Sequence, residues 1–213
     1  MAIQVIEPRP ARVRGTFTMQ RRLAALLRTD PRYFIQKVFA TLCPGERYVH
    51  NWHVDAIVHR LTLVYSAENR RLLINQPPRS LKSISVSVAF VAWVLGHDPS
   101  RRIIIVSYSQ DFAAELHRQF RVVVESDWYQ ALFPGTLWSK ETGFEMVTTM
   151  GGGRYATSVG GTLTGRGADL IIVDDPLNAN EAQSEPARKR VIDWYAGSLV
   201  SRLMTRKRAQ SWW

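Results

Sequence analysis

The chain has 213 residues and a net charge of +10 at pH 7, with 28 lysines and arginines against 18 aspartates and glutamates. Its single cysteine, Cys43, excludes an internal disulfide and a cysteine-rich zinc site, and it suits a reducing cytoplasm. No stretch approaches the ~20 apolar residues that span a bilayer. The positive charge favours a polyanionic partner, with nucleic acid preferred to a membrane surface. A role of the charge in solubility alone is about equally good as an explanation of the composition.

The first 45 residues are predicted to form an N-terminal arm and short helices. Prolines and arginines are frequent in residues 1–18, which we expect to be a mobile arm. Helices are predicted over Met19–Arg28 and Pro31–Leu42, with Asp30-Pro31 as the start signal of the second. Residues 46–204 are predicted to form the main domain, beginning with a helix over Asn51–Val64.

In this main domain, apolar runs that suit buried strands alternate with segments that suit helices. The predicted strands are Leu72–Asn75, Ile103–Ser107 and Leu170–Val173, and the predicted helices are Ile84–Leu95, Phe112–Glu125 and Ser184–Met204. A loop with aromatic anchors is predicted over Asp127–Gly135, and a hairpin over Phe144–Thr149 and Arg154–Ser158. The alternation predicts an α/β fold with a mainly parallel sheet flanked by helices.

The turn after the first predicted strand resembles a phosphate-binding loop. Its sequence Arg79-Ser80-Leu81-Lys82-Ser83 opens a predicted helix, and backbone N–H groups at a helix start bind anions. Lys82 would reach the β- and γ-phosphates, and the Ser83 hydroxyl would bind Mg²⁺. The standard pattern, G-x-x-x-x-G-K-[ST], has glycines where this chain has Gln76 and Leu81, so an ordinary helix start is the alternative.

Two carboxylates follow the last predicted strand. Asp174 would hold Mg²⁺ beside Ser83, and Asp175 would polarise the attacking water. Ligands of open parallel sheets bind at the carboxyl ends of the strands. Taken alone, Lys82-Ser83 is better explained as an ordinary helix start, and Asp174-Asp175-Pro176 as a turn that ends a strand. Both together, each after an apolar run, favour a site for ATP and Mg²⁺.

Three further features are candidates for parts of this site. Arg79 lies within the loop and would stabilise charge on the γ-phosphate, unless it is only an exposed turn residue. Trp52 and His53 would contact adenine, although a tryptophan on such a helix is more often a core residue. The loop Thr164–Gly167 would let its backbone approach phosphate or DNA, or is a plain glycine-rich turn.

Seven motifs together resemble the N-terminal ATPase domain of the large terminase subunit of tailed bacteriophages. They are Pro77–Ser83, Ala92–Pro99, Ser107–Asp111, Leu132–Gly135, Thr157–Gly167, Ile171–Pro176 and Trp194-Tyr195. The resemblance implies a RecA-like P-loop NTPase of the additional-strand class. It also implies Mg-ATP hydrolysis that drives double-stranded DNA into a procapsid in the host cytoplasm. A small terminase subunit and the portal protein would be partners, and the full-length motor would be a homo-oligomer without a membrane partner.

The family pattern is transferred to Lys82, Ser83, Asp174 and, as a candidate arginine finger, Arg79; Ser80 and Leu81 complete the phosphate loop. Asp175 stands where the broader class usually has glutamate, and Glu181 or Glu185 is the alternative water activator. The family continues with a further strand and a nuclease domain, whereas residues 205–213 form a basic tail unlike a strand.

If one possible DNA coding of the family's next strand is read one nucleotide late, it encodes Ala-Gln-Ser-Trp-Trp followed by a stop codon. These five residues are the C-terminal sequence of this chain. The expectation is therefore a prophage fragment truncated by a frameshift, without nuclease activity and with weak or missing ATPase activity; a natural short subunit is the alternative. Two other functions remain open: another P-loop translocase or helicase, and a non-catalytic basic DNA-binding remnant.

Overall fold

The computed structural model describes residues 14–204 of the chain. The N-terminal helices are α1 (Arg14–Thr29), α2 (Pro31–Leu42) and α3 (Trp52–Tyr65), which confirms the predicted helices there. Of the predicted mobile arm, residues 1–13 lie outside the described part, and residues 14–18 belong to α1. Helix α2 begins where predicted because the Asp30 side chain accepts a hydrogen bond from the backbone N–H of Arg32.

A five-stranded mixed sheet forms the centre of the described chain. Its strands are β1 (Arg102–Ser107), β2 (Trp138–Glu141), β3 (Glu145–Thr148), β4 (Gly153–Ser158) and β5 (Leu170–Val173), in the order β2-β3-β4-β1-β5. Strand β1 pairs in parallel with β4 and β5, whereas β3 is antiparallel to both β2 and β4. The predicted hairpin is confirmed as β3–β4, and β2 was not predicted.

The predicted fold class is wrong in its finer part. The chain is α/β with helices flanking the sheet, as expected, but the sheet is not mainly parallel, because two of its four strand pairings are antiparallel. Its strand order is not that of a RecA-like P-loop NTPase of the additional-strand class. Strands β2, β3 and β4 are consecutive in the sequence and adjacent in the sheet, and short connections between adjacent strands favour antiparallel pairing.

The predicted strand Leu72–Asn75 is also wrong, because these residues join no strand of the described sheet. They are nevertheless extended in character, since residues 71–75 alternate between exposed and half-buried side chains. Leu72 and Ile74 pack against the main apolar core, while the Leu73 side chain is 91% exposed. The apolar run therefore packs as a strand would, without the backbone pairing that defines one.

Two apolar clusters cover the faces of the sheet unequally. The larger joins the sheet to the N-terminal helices and to α5 (Gln110–Val124) and α6 (Asp127–Leu132), through residues such as Phe34, Val38, Ile105 and Phe120. Part of the predicted aromatic loop is therefore helical, as α6. The smaller cluster, on the opposite face, contains Ile104, Val106, Leu163, Ala168 and Leu199. One face thus carries most of the core.

The helix after the phosphate-loop sequence crosses this core. Residues Ile84–Phe90 form a π-helical segment that continues directly into α4 (Val91–His97). Its residues Val88–Leu95 are buried, as predicted from their apolar sequence. Short π-helical segments are often found at functional sites, and this one begins immediately after Lys82-Ser83.

The C-terminal helix predicted over Ser184–Met204 is divided into several segments. A 3₁₀ turn (Glu181–Gln183) precedes α7 (Glu185–Trp194), which is followed by a π-helical turn (Tyr195–Leu199) and a 3₁₀ turn (Val200–Arg202). Leu199 anchors this region on the smaller apolar cluster. None of the helices in residues 14–204 is long and apolar enough to cross a membrane.

Candidate functional site

The predicted phosphate loop has strained backbone at two positions. Arg79 and Leu81 have φ values of 63° and 61°, in the left-handed region that residues other than glycine rarely adopt. Asp175, across the site, has a φ of 47°. Such conformations cost of order 1–3 kcal/mol each and cluster at functional sites. Leu81 occupies the second glycine position of the standard pattern, so the loop adopts a glycine-like conformation without a glycine.

Lys82 contacts both predicted carboxylates. Its Nζ forms a short hydrogen-bonded ion pair with Asp175 Oδ1 and lies 3.6 Å from Asp174 Oδ1. Asp174 is buried, whereas about half of the Asp175 side chain is exposed. The two motifs, which are more than ninety residues apart, are therefore brought together at the carboxyl end of β5.

The protonation of Lys82 follows from these neighbours. Partial burial alone would lower the pKa of Lys82, but the hydrogen bond to Asp175 and the charges of Asp174 and Asp175 raise it above its usual value. Lys82 is therefore a full cation at neutral pH. Its side chain is 22% exposed, so it remains within reach of an anion from solvent.

Asp174 is oriented by a serine that sequence reasoning did not identify. Ser87 Oγ donates a 2.7 Å hydrogen bond to Asp174 Oδ2, and both groups are buried. Ser87 lies four residues after Ser83, the predicted metal ligand, which is half-buried at the start of the π-helical segment. Spacing along a helix could have identified Ser87, because residues four apart lie on the same face.

One further hydroxyl of the loop is unpaired. Among the described residues, Ser80 Oγ and Gln76 Oε1 are buried without a hydrogen-bond partner. An unpaired buried hydroxyl is costly and calls for an explanation such as a ligand. Ser80 was predicted to bind phosphate, and its orphaned hydroxyl is consistent with that role.

The predicted adenine-binding residues, Trp52 and His53, are the first two residues of α3. His53 Nε2 is 3.1 Å from the backbone carbonyl oxygen of Ser80, which places His53 directly beside the phosphate loop. Trp52 is 76% exposed and contacts the His53 ring edge-to-face at 6.5 Å between centroids. Trp52 is therefore not a core residue, and its ring is free of the main apolar cluster.

The remaining candidates lie at different distances from this centre. Arg79 is exposed at the rim of the loop. Glu181 contacts Arg190, and Glu185 is the first residue of α7. The carboxylates that pair with Lys82 in the described chain are those of Asp174 and Asp175 instead. In the glycine-rich loop, Arg166 pairs with Glu145 and stacks on the Tyr155 ring, with 3.7 Å between the guanidinium carbon and the ring centroid. Arg166 therefore fixes its loop to the sheet.

The donor set fits a magnesium ion bound together with a nucleotide. The described residues contain no cluster of three or more His, Cys, Asp or Glu side chains that would hold a metal alone. Magnesium at nucleotide sites uses one or two carboxylates together with phosphate oxygens and water. Asp174, whose oxygens contact Ser87 and Lys82, supplies such a carboxylate. Ser83, which follows Lys82 in the sequence, has a hydroxyl that would be a second ligand.

No protein-family model matches this chain, and no curated protein matches its sequence.

Proposed function

We propose that the chain binds ATP with Mg²⁺ at the loop Arg79–Ser83 and at Asp174 and Asp175, and hydrolyses it. We further propose that it is the ATPase part of a viral DNA-packaging terminase large subunit. The observation that carries the site is the contact of Lys82 with both aspartates at the carboxyl end of β5. This contact brings together the loop Arg79–Ser83 and the pair Asp174 and Asp175, which are far apart in the sequence.

The phosphates of ATP would bind at the helix start. Backbone N–H groups there and the positive end of the helix dipole attract anions, and the Lys82 ammonium adds a full charge. Lys82 would exchange its contact with the exposed Asp175 for the β- and γ-phosphates. The orphaned Ser80 hydroxyl would donate to a phosphate oxygen.

Asp174 and Ser83 would hold Mg²⁺, which when bound neutralises charge on the phosphates. Ser87 fixes the orientation of Asp174 through its hydrogen bond, so that only one carboxylate oxygen is left for a cation. Once Lys82 has moved to the phosphates, Asp175 is free to accept a proton from water. Arg79, at the exposed rim, would stabilise charge on the γ-phosphate.

The packaging role is supported by the sequence motifs that resemble terminases and by the net charge of +10. Lysines and arginines would bind double-stranded DNA through its phosphates, with strong salt dependence. A small terminase subunit and the portal of a procapsid would be the protein partners, in the host cytoplasm. A non-catalytic DNA-binding remnant is the second candidate, since the charge alone supports DNA binding without ATP hydrolysis.

The test is ATP binding and hydrolysis by the full chain and by Lys82→Ala. We expect the unchanged protein to bind Mg-ATP, and Lys82→Ala to weaken binding at least tenfold because the cation at the phosphates is lost. Lys140→Ala is the matched control, because Lys140 also forms an exposed ion pair, with Glu145, far along the sequence from the loop.

Asp175→Asn separates binding from chemistry, since it keeps the side-chain shape but removes the base. It should retain ATP binding and lose hydrolysis. Absence of Mg-ATP binding by the unchanged chain, or equal binding by Lys82→Ala, would refute the nucleotide site. ATP-independent DNA binding alone would then favour the second candidate.

A further inference from the structure

A buried hydroxyl at the carboxyl end of β1 has no hydrogen-bond partner within residues 14–204. Ser107 is the last residue of β1, its side chain is fully buried, and its Oγ is not hydrogen-bonded to any described group. A buried polar group without a partner costs about 1–3 kcal/mol, and each one in a folded protein calls for an explanation such as a bound water or ion. Ser107 therefore needs a partner that the described part of the chain does not supply.

Ser107 lies beside Asp174, the predicted magnesium ligand. The parallel pairing of β1 with β5 ends at Val106 and Val173, and the Asp174 N–H donates to Val106 O at 2.8 Å. The next residues of the two chain segments, Ser107 and Asp174, are therefore neighbours across the sheet. Strand β1 has β4 on its other side, so the backbone at Ser107 is held by pairing on both edges.

The two side chains share one face of the sheet. Side chains of a strand alternate between faces, so Ser107 lies on the same face as Ile105, which belongs to the larger apolar cluster. Asp174 is directed to this face as well, because it accepts a hydrogen bond from Ser87, and the π-helical segment that contains Ser87 packs into the same cluster. A buried hydroxyl and a buried carboxylate are thus adjacent at the carboxyl end of the sheet.

Asp174 itself does not satisfy this hydroxyl. Its Oδ2 accepts a hydrogen bond from Ser87 Oγ at 2.7 Å, and its Oδ1 lies 3.6 Å from Lys82 Nζ. Ser107 Oγ forms no hydrogen bond with the carboxylate, although the two residues are neighbours. Waters of a bound Mg²⁺ have the required chemistry, because the ion keeps several waters when one or two carboxylates bind it. A serine oxygen accepts a hydrogen bond from such a water.

We propose that Ser107 positions Mg²⁺ at the nucleotide site, with its Oγ as the acceptor of a hydrogen bond from a water of the ion's hydration shell. This inference rests on the proposed ATP site, and it adds a residue that lies outside both the loop Arg79–Ser83 and the aspartate pair. Ser107 touches neither the nucleotide nor the ion, so it is a positioning residue. Groups that hold the ligands of a metal in this way typically contribute roughly 10- to 100-fold to metal affinity or activity.

Ser85 provides a matched control for this role. Its side chain is also fully buried, and its Oγ also has no partner among the described residues. It lies two residues before Ser87 in the π-helical segment, and residues two apart do not share a face of a helix. Ser85 therefore does not face Asp174 as Ser87 does, and removal of its hydroxyl should not affect the ion.

The test is binding of a fluorescent, non-hydrolysable ATP analogue, mant-AMPPNP, to the full 213-residue chain in magnesium and in EDTA. Magnesium should raise the affinity of the unchanged chain. Ser107→Ala should keep the affinity in EDTA but bind about tenfold more weakly in magnesium, because the ion's water loses its acceptor. Ser85→Ala should match the unchanged chain in both conditions. The denaturation midpoint of Ser107→Ala should not fall, because the substitution removes an unsatisfied hydroxyl.

A loss of affinity for Ser107→Ala that is equal in magnesium and in EDTA would indicate a structural role and overturn the proposal. Equal affinities of Ser107→Ala and the unchanged chain in magnesium would overturn it too, as would an equal loss for Ser85→Ala. Nucleotide binding that magnesium does not strengthen would leave ATP binding in place and overturn the role of Ser107. Absence of nucleotide binding by the unchanged chain in both conditions would refute the ATP site itself, and the role of Ser107 with it.

Discussion

Strands β1 and β5 have nearly the same sequence but different surroundings. Ile103–Val106 in β1 and Leu170–Val173 in β5 are four-residue aliphatic runs that pair with each other residue by residue. All four β1 residues are buried, whereas Val173 is 37% exposed and only Ile172 of β5 is buried. Among the strands of residues 14–204, β1 has a neighbour on each side and β5 has a neighbour on one side only, which accounts for the difference. An apolar run thus predicts a strand, but not its place in the sheet.

The residues that end these two strands differ as well. Strand β1 ends at the buried Ser107, and β5 leads to Asp174 and Asp175. A carboxylate is tolerated there because the open edge leaves Asp175 half exposed, and because Asp174 has Ser87 and Lys82 as partners. The incomplete edge of the sheet and the candidate site are therefore the same region of the molecule.

The largest expected effect contrasts a pair of facing isoleucines. Ile105 of β1 and Ile172 of β5 are register partners in the same apolar cluster. Ile105→Ala should lower the free energy of unfolding by about 4 kcal/mol, because the cavity is enclosed on both edges. Ile172→Ala should lower the free energy of unfolding by about 2 kcal/mol, because neighbouring side chains at the open edge of β5 can move to fill the cavity. Urea denaturation of both variants measures the difference.

Equal costs for the two variants would contradict this contrast. They would indicate that the edge of β5 that faces away from β1 is covered in solution. Ile104→Ala, in the smaller cluster on the other face, is the control for the effect of shortening any sheet isoleucine.

The other neighbour of β1, strand β4, holds a charge in a closed environment. Arg154 is buried, lies 5.2 Å from the centroid of the Phe120 ring, and donates to His117 Nδ1 at 2.8 Å. His117 Nε2 contacts Thr142 O at 3.1 Å, so this nitrogen carries the proton. Burial and then the charge of Arg154 lower the pKa of His117 to about 4.

This buried pair makes the free energy of unfolding depend on pH. The unfolded chain protonates His117 near its ordinary pKa of ~6.5, whereas the folded chain does so near 4. As the pH falls, His117 is therefore protonated in the unfolded chain before it is protonated in the folded chain. The contribution of His117 is fully present above about pH 6.5, and about 3 kcal/mol is lost as the pH falls to 4.

Chemical denaturation from pH 7 to 4 measures this loss, with His117→Gln as the test variant. His117→Gln should have a flatter pH profile than the unchanged chain, and His59→Gln, at an exposed residue of α3, should not. Parallel profiles for the unchanged chain and His117→Gln would show that His117 is solvated in the folded state.

Sequence patterns predicted the parts of the fold that depend on local periodicity. Asp30-Pro31 located the start of α2, and the alternation of Phe144–Thr149 located β3. They did not predict sheet order, since pairing depends on contacts distant in sequence. The run Leu72–Asn75 shows this limit, because its composition is that of a strand while its backbone has no strand partner in the described part of the chain.

The candidate site was predicted in part for the same reason. Lys82, Asp174 and Asp175 each follow an apolar run, so their type and position marked them. Ser87 was missed although its four-residue spacing from Ser83 is visible in the sequence, because its contact with Asp174 depends on how the helix packs. The left-handed conformations of Arg79 and Leu81 were also hidden, since neither residue type favours them.

The smallest of these effects compares two buried serines of the π-helical segment Ile84–Phe90. Ser87 and Ser85 are both fully buried; Ser87 Oγ donates to Asp174, whereas Ser85 Oγ has no partner among the described residues. Ser87→Ala should destabilise the fold by about 2 kcal/mol, because a buried carboxylate loses its charge-assisted hydrogen bond. Ser85→Ala should be neutral or slightly stabilising, because it removes an unsatisfied hydroxyl at little change in volume. Denaturation midpoints of the two variants give the comparison, and a loss of stability as large for Ser85→Ala as for Ser87→Ala would mean that cavity formation, not the Asp174 contact, sets the cost.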